Sequence, residues 1–202
     1  QRLSFHPGPF NCLASPNKST VDKTIAELDA HALQMDLMGL PASQQAKINI
    51  HVGGAYGEHD NAMARFCKSF ARLGDTTRAR LTVENDDKAS MFSTKMLYSG
   101  VSKHIGIPIV FDSHHHELGP QDASYHDAFY MARDTWQRLN IKQQCHHSNS
   151  KKNYEDSSVR ASAHSDWYYT PFENYGESVD VVLECKMKEQ ALLKYRKDYL
   201  CA

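Results

Sequence analysis

The chain has 202 residues, 41% of them hydrophobic and 23% charged, which fits one soluble globular domain with a real core. Its formal net charge is −1, so bulk attraction to a polyanion is excluded, and any nucleic-acid contact has to be local or assisted by cations. No apolar run approaches the roughly 20 residues of a membrane span. The N-terminus lacks a signal-peptide pattern, and five scattered cysteines without a CxxC pair point to a reducing compartment.

In chain order, a strand at residues 3–5 closes in His6-Pro7-Gly8. Ser19 is the expected N-cap of a helix with apolar residues at Val21, Ile25, Leu28, Ala32 and Met35, stopped by Gly39 and Pro41. A strand over 47–52 ends in HVGG. A helix over about 60–73 follows, with Gly74 as its stop signal, and then a third strand over 80–84. A helix is expected within 89–104, a fourth strand over 107–112 and a helix over 122–139. Residues 144–149 read as a fifth strand, the polar stretch 150–160 as a loop, 179–185 as a sixth strand and 187–199 as a closing helix.

Strand–helix alternation at this spacing means βαβ units and a parallel sheet. Without a GxGxxG fingerprint it favours a TIM-type (β/α) barrel over a nucleotide-binding sheet. A complete (β/α)₈ barrel needs about 250 residues. Six strands, with the chain opening inside the first, predict a single barrel domain over 1–202 that lacks about two N-terminal βα units.

The strand ends carry the chemistry. His6, His51, Glu84, Asp112 with His115, His146 and Glu184 close the six strands, and His164 lies in the loop before the last. In a barrel these ends share one rim, where active sites are found. Imidazole and carboxylate donors together suit Mn²⁺, Zn²⁺ or Fe²⁺, and eight ligands predict two or three ions. Such clusters lower the pKa of a water and stabilise the leaving oxygen of an in-line phosphoryl displacement. Glu84, central in the set, is the residue expected to bridge ions. Asp86 and Asp87 read as cap or turn residues. Of His114 and His116, one can orient a ligand and at least one packs or faces solvent. His146 and His147 are equivalent on spacing alone. His31, His59, His104 and His126 read as ordinary helix or loop histidines.

The motifs FHPGPFNCLASP (5–16), NIHVGG (49–54), LTVENDD (81–87), IPIVFDSHHHEL (107–118), CHHSNS (145–150), HSDWY (164–168) and VLECKMKEQALLKYR (182–196) resemble the UV damage endonuclease family over nearly the whole chain. The resemblance implies a TIM barrel with a divalent metal cluster, usually manganese, with Zn²⁺ or Mg²⁺ as alternatives. The implied activity is incision of double-stranded DNA 5′ to cyclobutane pyrimidine dimers and 6-4 photoproducts, and in some members at abasic sites. It implies His6, His51, Glu84, Asp112, His115, His146, His164 and Glu184 as ligands, His146 being favoured over His147 by its place in the motif. Lys186 matches a family lysine that meets a phosphate.

Three departures stand out. The family's Gln-Tyr or Gln-Phe lesion probe is here Pro9-Phe10. A common family lysine is here Gln144. The first two barrel strands, with a further family ligand and some DNA contacts, are not in the chain. The expectation is a monomeric DNA-repair endonuclease of the nucleoid and cytoplasm in a prokaryote, or of the nucleus or mitochondrion in a eukaryote. The alternatives are a related metal barrel, either an endonuclease IV-like abasic endonuclease or a sugar isomerase, and a truncated fragment that binds DNA without turnover.

Overall fold

The computed structural model describes residues 2–200. Six parallel strands pair in sequence order: β1 (Ser4–Phe5), β2 (Lys47–Ile50), β3 (Leu81–Glu84), β4 (Ile109–Asp112), β5 (Gln144–His147) and β6 (Asp180–Leu183). The helices are α1 (Lys18–Leu37), α2 (His59–Phe70), α3 (Asp75–Arg80), α4 (Thr94–Leu97), α5 (Lys103–Ile105), α6 (Ser113–Leu118), α7 (Tyr125–Gln137), α8 (Lys151–Tyr154) and α9 (Lys188–Tyr199), with a π-helical turn, Tyr98–Ser102, between α4 and α5. The sheet curls into an open barrel. Next to β1, Arg2 reaches round to Asp180 at the start of β6, at 3.2 Å, and its guanidinium also donates to the carbonyls of Gln44 and Lys142. Among the described residues β1 pairs only with β2, and β6 only with β5.

The period-two alternation of the strands divides the chain into two environments. Ile48, Ile50, Leu81, Val83, Ile109, Phe111 and Cys145 face outward and join the core beneath the helices. Each large apolar side chain buried there contributes about 1.5–3 kcal/mol. The alternate residues, Lys47, Asn49, Thr82, Glu84, Asp112, Gln144 and His146, are equally buried but polar. A TIM barrel usually fills its interior with branched aliphatics; this one, Val110 and Val182 apart, fills it with hydrogen-bonding groups. A second, smaller core of Tyr168, Cys185, Ala191 and Tyr195 lies under α9.

Local chemistry moves several expected boundaries. Asn17, not Ser19, caps α1; its side chain accepts from the backbone amides of Ser19 at 2.9 Å and Thr20 at 3.4 Å. Residue 80 ends a helix rather than opening a strand. Asp75 at the N-terminus and Arg78 and Arg80 in the last turn suit the α3 dipole. The fourth strand begins at Ile109 because Pro108 has no amide to give the ladder. The stretch 150–160 contains one helical turn, α8. Three helices, α3, α6 and α8, stand where the sequence reading has none.

Candidate metal centre

Parallel pairing puts the C-terminal ends of all six strands on one rim, with Glu84 beside Val110 and Asp112 beside His146 in register. Glu84 is fully buried and central. His6 Nε2 lies 3.3 Å and His146 Nδ1 3.2 Å from its Oε2, and His115 Nδ1 lies 3.1 Å from its Oε1. His146 Nδ1 is also 3.1 Å from Glu184 Oε1, and His164 Nδ1 is 4.0 Å from Glu184 Oε2. Asp112 Oδ1 accepts the backbone amide of His115 at 2.9 Å, which caps α6 and turns the His115 ring back over the strand. That helical turn is how Asp112 and His115 face one site.

His51 is aimed by the turn that follows it. Gly53 sits at φ +95°, where an L side chain is strained, and a Cβ there would run into Cys12. The Nδ1 of His51 lies 3.3 Å from Asp86 Oδ1, while Asp86 Oδ2 accepts the amide of Phe92 at 3.3 Å. Asp86 is thus a loop-capping residue, as its type suggests, and also a partner for a candidate ligand.

Three donor sets emerge: His6, Glu84 and His146; His51, Glu84 and His115; Asp112, His146 and Glu184. Within each set the donor atoms lie within 4.8 Å of one another. Glu84 Oε1, Asp112 Oδ2, His51 Nδ1 and His146 Nδ1 are buried within ion-pair distance of oppositely charged groups, yet none of them makes a hydrogen bond of good geometry among the described residues. Buried polar atoms without good hydrogen bonds are costly, and here they converge. Mixed nitrogen and oxygen donors in this arrangement fit divalent cations. His164 stands outside the three sets, held by Ser148 Oγ at 2.7 Å from its Nδ1.

Without a metal the site is a web of ion pairs. Burial pushes the Glu84 carboxyl up, but His146, His115 and His6 outweigh it and hold the group well below the usual range. Burial lowers His115 and His146, yet Asp112 and Glu84 carry the first to about 11, and Glu84 with Glu184 carries the second to about 9. Desolvation raises Asp112, whereas His146 keeps Glu184 low in spite of burial. Burial brings Lys47 down to about 8, with Glu84 and Glu184 pulling the other way.

His147 faces away from the centre. Its Nδ1 meets Ser113 Oγ at 2.7 Å, its Nε2 meets the Thr170 carbonyl at 3.1 Å, and its ring stacks on Tyr168. Burial lowers it to about 4. His116 packs against Phe111 and Tyr125, and His114 is buried edge-on to His164. Gln144 is not on the rim: strand alternation puts it on the face of His146 but one layer deeper, 5% exposed. Burial lowers the pKa of His164 against the pull of Glu184 and Asp112, and the exposed Lys186 nearby adds to the lowering. Beside the donors a cleft of about 500 Å³ is lined by residues including His6, Pro9, His51, Lys88 and His115. Phe10, next to Pro9, is 90% exposed.

Sequence reading missed three interior residues. Asn49 Nδ2 donates to Glu84 Oε2, Asn49 Oδ1 accepts from Thr82 Oγ1 at 2.7 Å, and Lys47 Nζ lies 3.3 Å from His146 Nε2. The signal that finds Lys47 and Asn49 is strand parity: they stand four and two residues before His51, on the same face.

A family model described as UV-endonuclease UvdE matches residues 1–200. The chain belongs to the UV-endonuclease UvdE family. It is 35% identical to the UV DNA damage endonuclease of Bacillus pumilus over 202 residues, covering 96% of this chain and 60% of that protein. It is 33% identical to the UV-damage endonuclease of Schizosaccharomyces pombe, covering 98% of this chain and 34% of that one. It therefore spans about 60% of the length of the bacterial relative. The crystal structure of SacUVDE superimposes with a TM-score of 0.82 at 32% identity, over 98% of this chain and 64% of that one. An L-ribulose 3-epimerase, at 13% identity and a TM-score of 0.63 over 97% of this chain and 66% of that one, shares the fold. No helix among the described residues is long and apolar enough to cross a membrane.

Proposed function

We propose that this family member is a metal-dependent DNA-repair endonuclease that incises duplex DNA 5′ to UV photoproducts. The observation that carries the reading is the convergence of His6, His115 and His146 on the buried carboxylate of Glu84. The family match and the names of the relatives supply the substrate class. In this reading Glu84 would be shared between two ions, one held with His6 and the other with His51 and His115; the single Nδ1 of His146, between Glu84 and Glu184, would complete either the first of these or a third held by Asp112 and Glu184, with His164 beside Glu184. Mn²⁺ is the proposed metal. Bound there, divalent ions would lower the pKa of a coordinated water and neutralise charge on the leaving oxygen of an in-line displacement.

The chain's own residues position the substrate. Lys186, exposed beside His164, meets a backbone phosphate. Pro9 lines the cleft that opens onto the donors, and Phe10, next in the chain and 90% exposed, stacks against or wedges into the distorted duplex. Asn49 and Thr82 hold Glu84 in its bridging orientation. Gln144 takes part from the layer below rather than as a charged contact. The protein acts as a monomer on chromosomal DNA, in the nucleoid of a prokaryote or the nucleus or mitochondrion of a eukaryote. Residues 1–202 form one barrel domain, and two further βα units between β6 and β1 would close it.

The test is to incubate UV-irradiated, abasic and untreated duplexes with the protein and Mn²⁺. Nicks immediately 5′ to photoproducts, absent from untreated DNA, are expected. Nicking of abasic DNA alone would replace the photoproduct reading with that of an abasic endonuclease. Binding without nicking would leave a DNA-binding protein only.

A further inference from the structure

Tyr56 stands in a backbone conformation that its residue type does not favour. It lies in the loop between β2 and α2, where the Glu58 amide donates to the Ala55 carbonyl at 3.0 Å. Both central residues of that turn have positive φ, Tyr56 at +52° and Gly57 at +78°. This is the pattern of a type I′ turn, whose first central position favours Asn, Asp or Gly. A bulky side chain there is strained.

The same turn recurs at 174–177. The Glu177 amide donates to the Asn174 carbonyl at 2.9 Å, with Tyr175 at φ +52° and Gly176 at +75°. The Tyr175 ring packs against Tyr125, His126, Phe129 and Tyr130, with centroids 4.9 to 6.1 Å away. Packing accounts for that tyrosine. Tyr56 pairs with no aromatic ring among the described residues and stays 57% exposed. Its ring is nevertheless braced. The Arg65 guanidinium carbon lies 5.6 Å from its centroid, and Arg65 Nε is anchored on the Ala14 carbonyl at 2.7 Å. A Cβ at Gly54 would come within 2.8 Å of Tyr56 Cε2. Gly54 has no positive φ, so room for the ring is what its missing Cβ supplies. Gly53 and Gly54 also line the cleft beside the donors, together with Pro9. A strained, exposed and braced ring thus stands beside that opening.

We propose that Tyr56 is a stacking contact for a nucleobase displaced from the damaged duplex, offered from the loop after β2 as Phe10 is from the loop after β1. An aromatic face accepts any base, because every base has a π-face. A base at a damaged step leaves its stack at less cost than one in intact duplex. The inference rests on the endonuclease reading above and adds a second aromatic residue to lesion recognition.

Tyr56→Asn places the residue a type I′ turn prefers and removes the ring. Tyr56→Phe keeps the ring, and Tyr175→Asn makes the same exchange where the ring is packed. The full chain and each variant are titrated by fluorescence anisotropy with UV-irradiated and undamaged duplexes, in EDTA so that binding is read apart from Mn²⁺-dependent nicking, and each is unfolded in urea. For Tyr56→Asn, binding to the irradiated duplex should weaken by about 5–100-fold, while binding to the undamaged duplex holds. Its slope against salt should not change, since no phosphate contact is lost, and its urea midpoint should equal or exceed that of the wild type. Tyr56→Phe should bind as the wild type does. Tyr175→Asn should lower the urea midpoint and keep the preference for irradiated DNA. Unchanged binding by Tyr56→Asn, equal losses on both duplexes, or a loss that only follows a lower urea midpoint would overturn the inference. Should Tyr56→Asn fail to fold, Tyr56→Gly, which the same φ admits, is read by the same measurements with the same outcomes for and against. A wild-type chain with no preference for irradiated DNA would sink the lesion reading and this inference with it, a result distinct from a variant that matches a selective wild type.

Discussion

The arc from β2 to β5 and the edge formed by β6 and α9 repeat one strand–helix plan but pack differently. Every residue of β2, β3, β4 and β5 is buried, whereas all four residues of β6 are half-buried. Helix α9 buries only Ala191 and Tyr195. Each region supplies one glutamate to the centre: Glu84 has a side chain 0% exposed, Glu184 one that is 25% exposed. A ligand's depth thus follows from the neighbours of its strand. β3 lies between two partners, and β6 has one among the described residues. Three imidazoles surround the deep glutamate, and two flank the shallow one.

The largest effect expected from this contrast is on the reaction. Glu84→Gln should reduce Mn²⁺-dependent nicking by on the order of 10³-fold or more, and Glu184→Gln by about 10–100-fold, with both variants folded by circular dichroism. Equal losses would erase the distinction between arc and edge. The same contrast should appear in stability. Phe111→Ala, in the core of the arc, should cost about 3–5 kcal/mol in urea unfolding. Leu192→Ala, 40% exposed at the edge, should cost less than about 1 kcal/mol.

A smaller effect follows from the charges. His146 and His115 have pKa values raised to about 9 and about 11, so the stability they confer is fully present below the unfolded value near 6.5 and is lost as pH rises through the folded values. The metal-free protein should therefore lose on the order of 3 kcal/mol between pH 7 and pH 10 from His146 alone. Saturating Mn²⁺ should flatten the loss, because metal uptake removes the same protons. Urea midpoints across that range with and without Mn²⁺ are the measurement. A metal-free stability that rises with pH would break the picture of protonated ring and carboxylate pairs.

The arc was also the more legible region. Its strands announce themselves as short apolar runs ending in acids and imidazoles, and the ends fell where LTVE and IVFD stop. Helix α6 was not legible, because SHHHEL has no apolar period; it exists because Asp112 caps it. Helix α3 is one and a half turns of DTTRAR, too short for periodicity to register. Asn17 lost to Ser19 in the reading because both are capping residues, and only geometry decides between them. Lys47 and Asn49 were passed over because a polar residue inside a strand run ordinarily faces solvent. In a barrel whose interior is polar, the same alternation points them inward.

Asp112 gives one carboxylate oxygen to the amide of His115 and leaves the other buried without a hydrogen bond of good geometry. The side chain that starts α6 therefore also belongs to a candidate donor set. With an ion held there, fraying of that helix and loss of the ion from the Asp112 side would be linked. Hydrogen exchange at the His115 amide should slow when Mn²⁺ is added, a readout of occupancy from a single peptide bond. An exchange rate indifferent to Mn²⁺ would show that cap and ligand act independently.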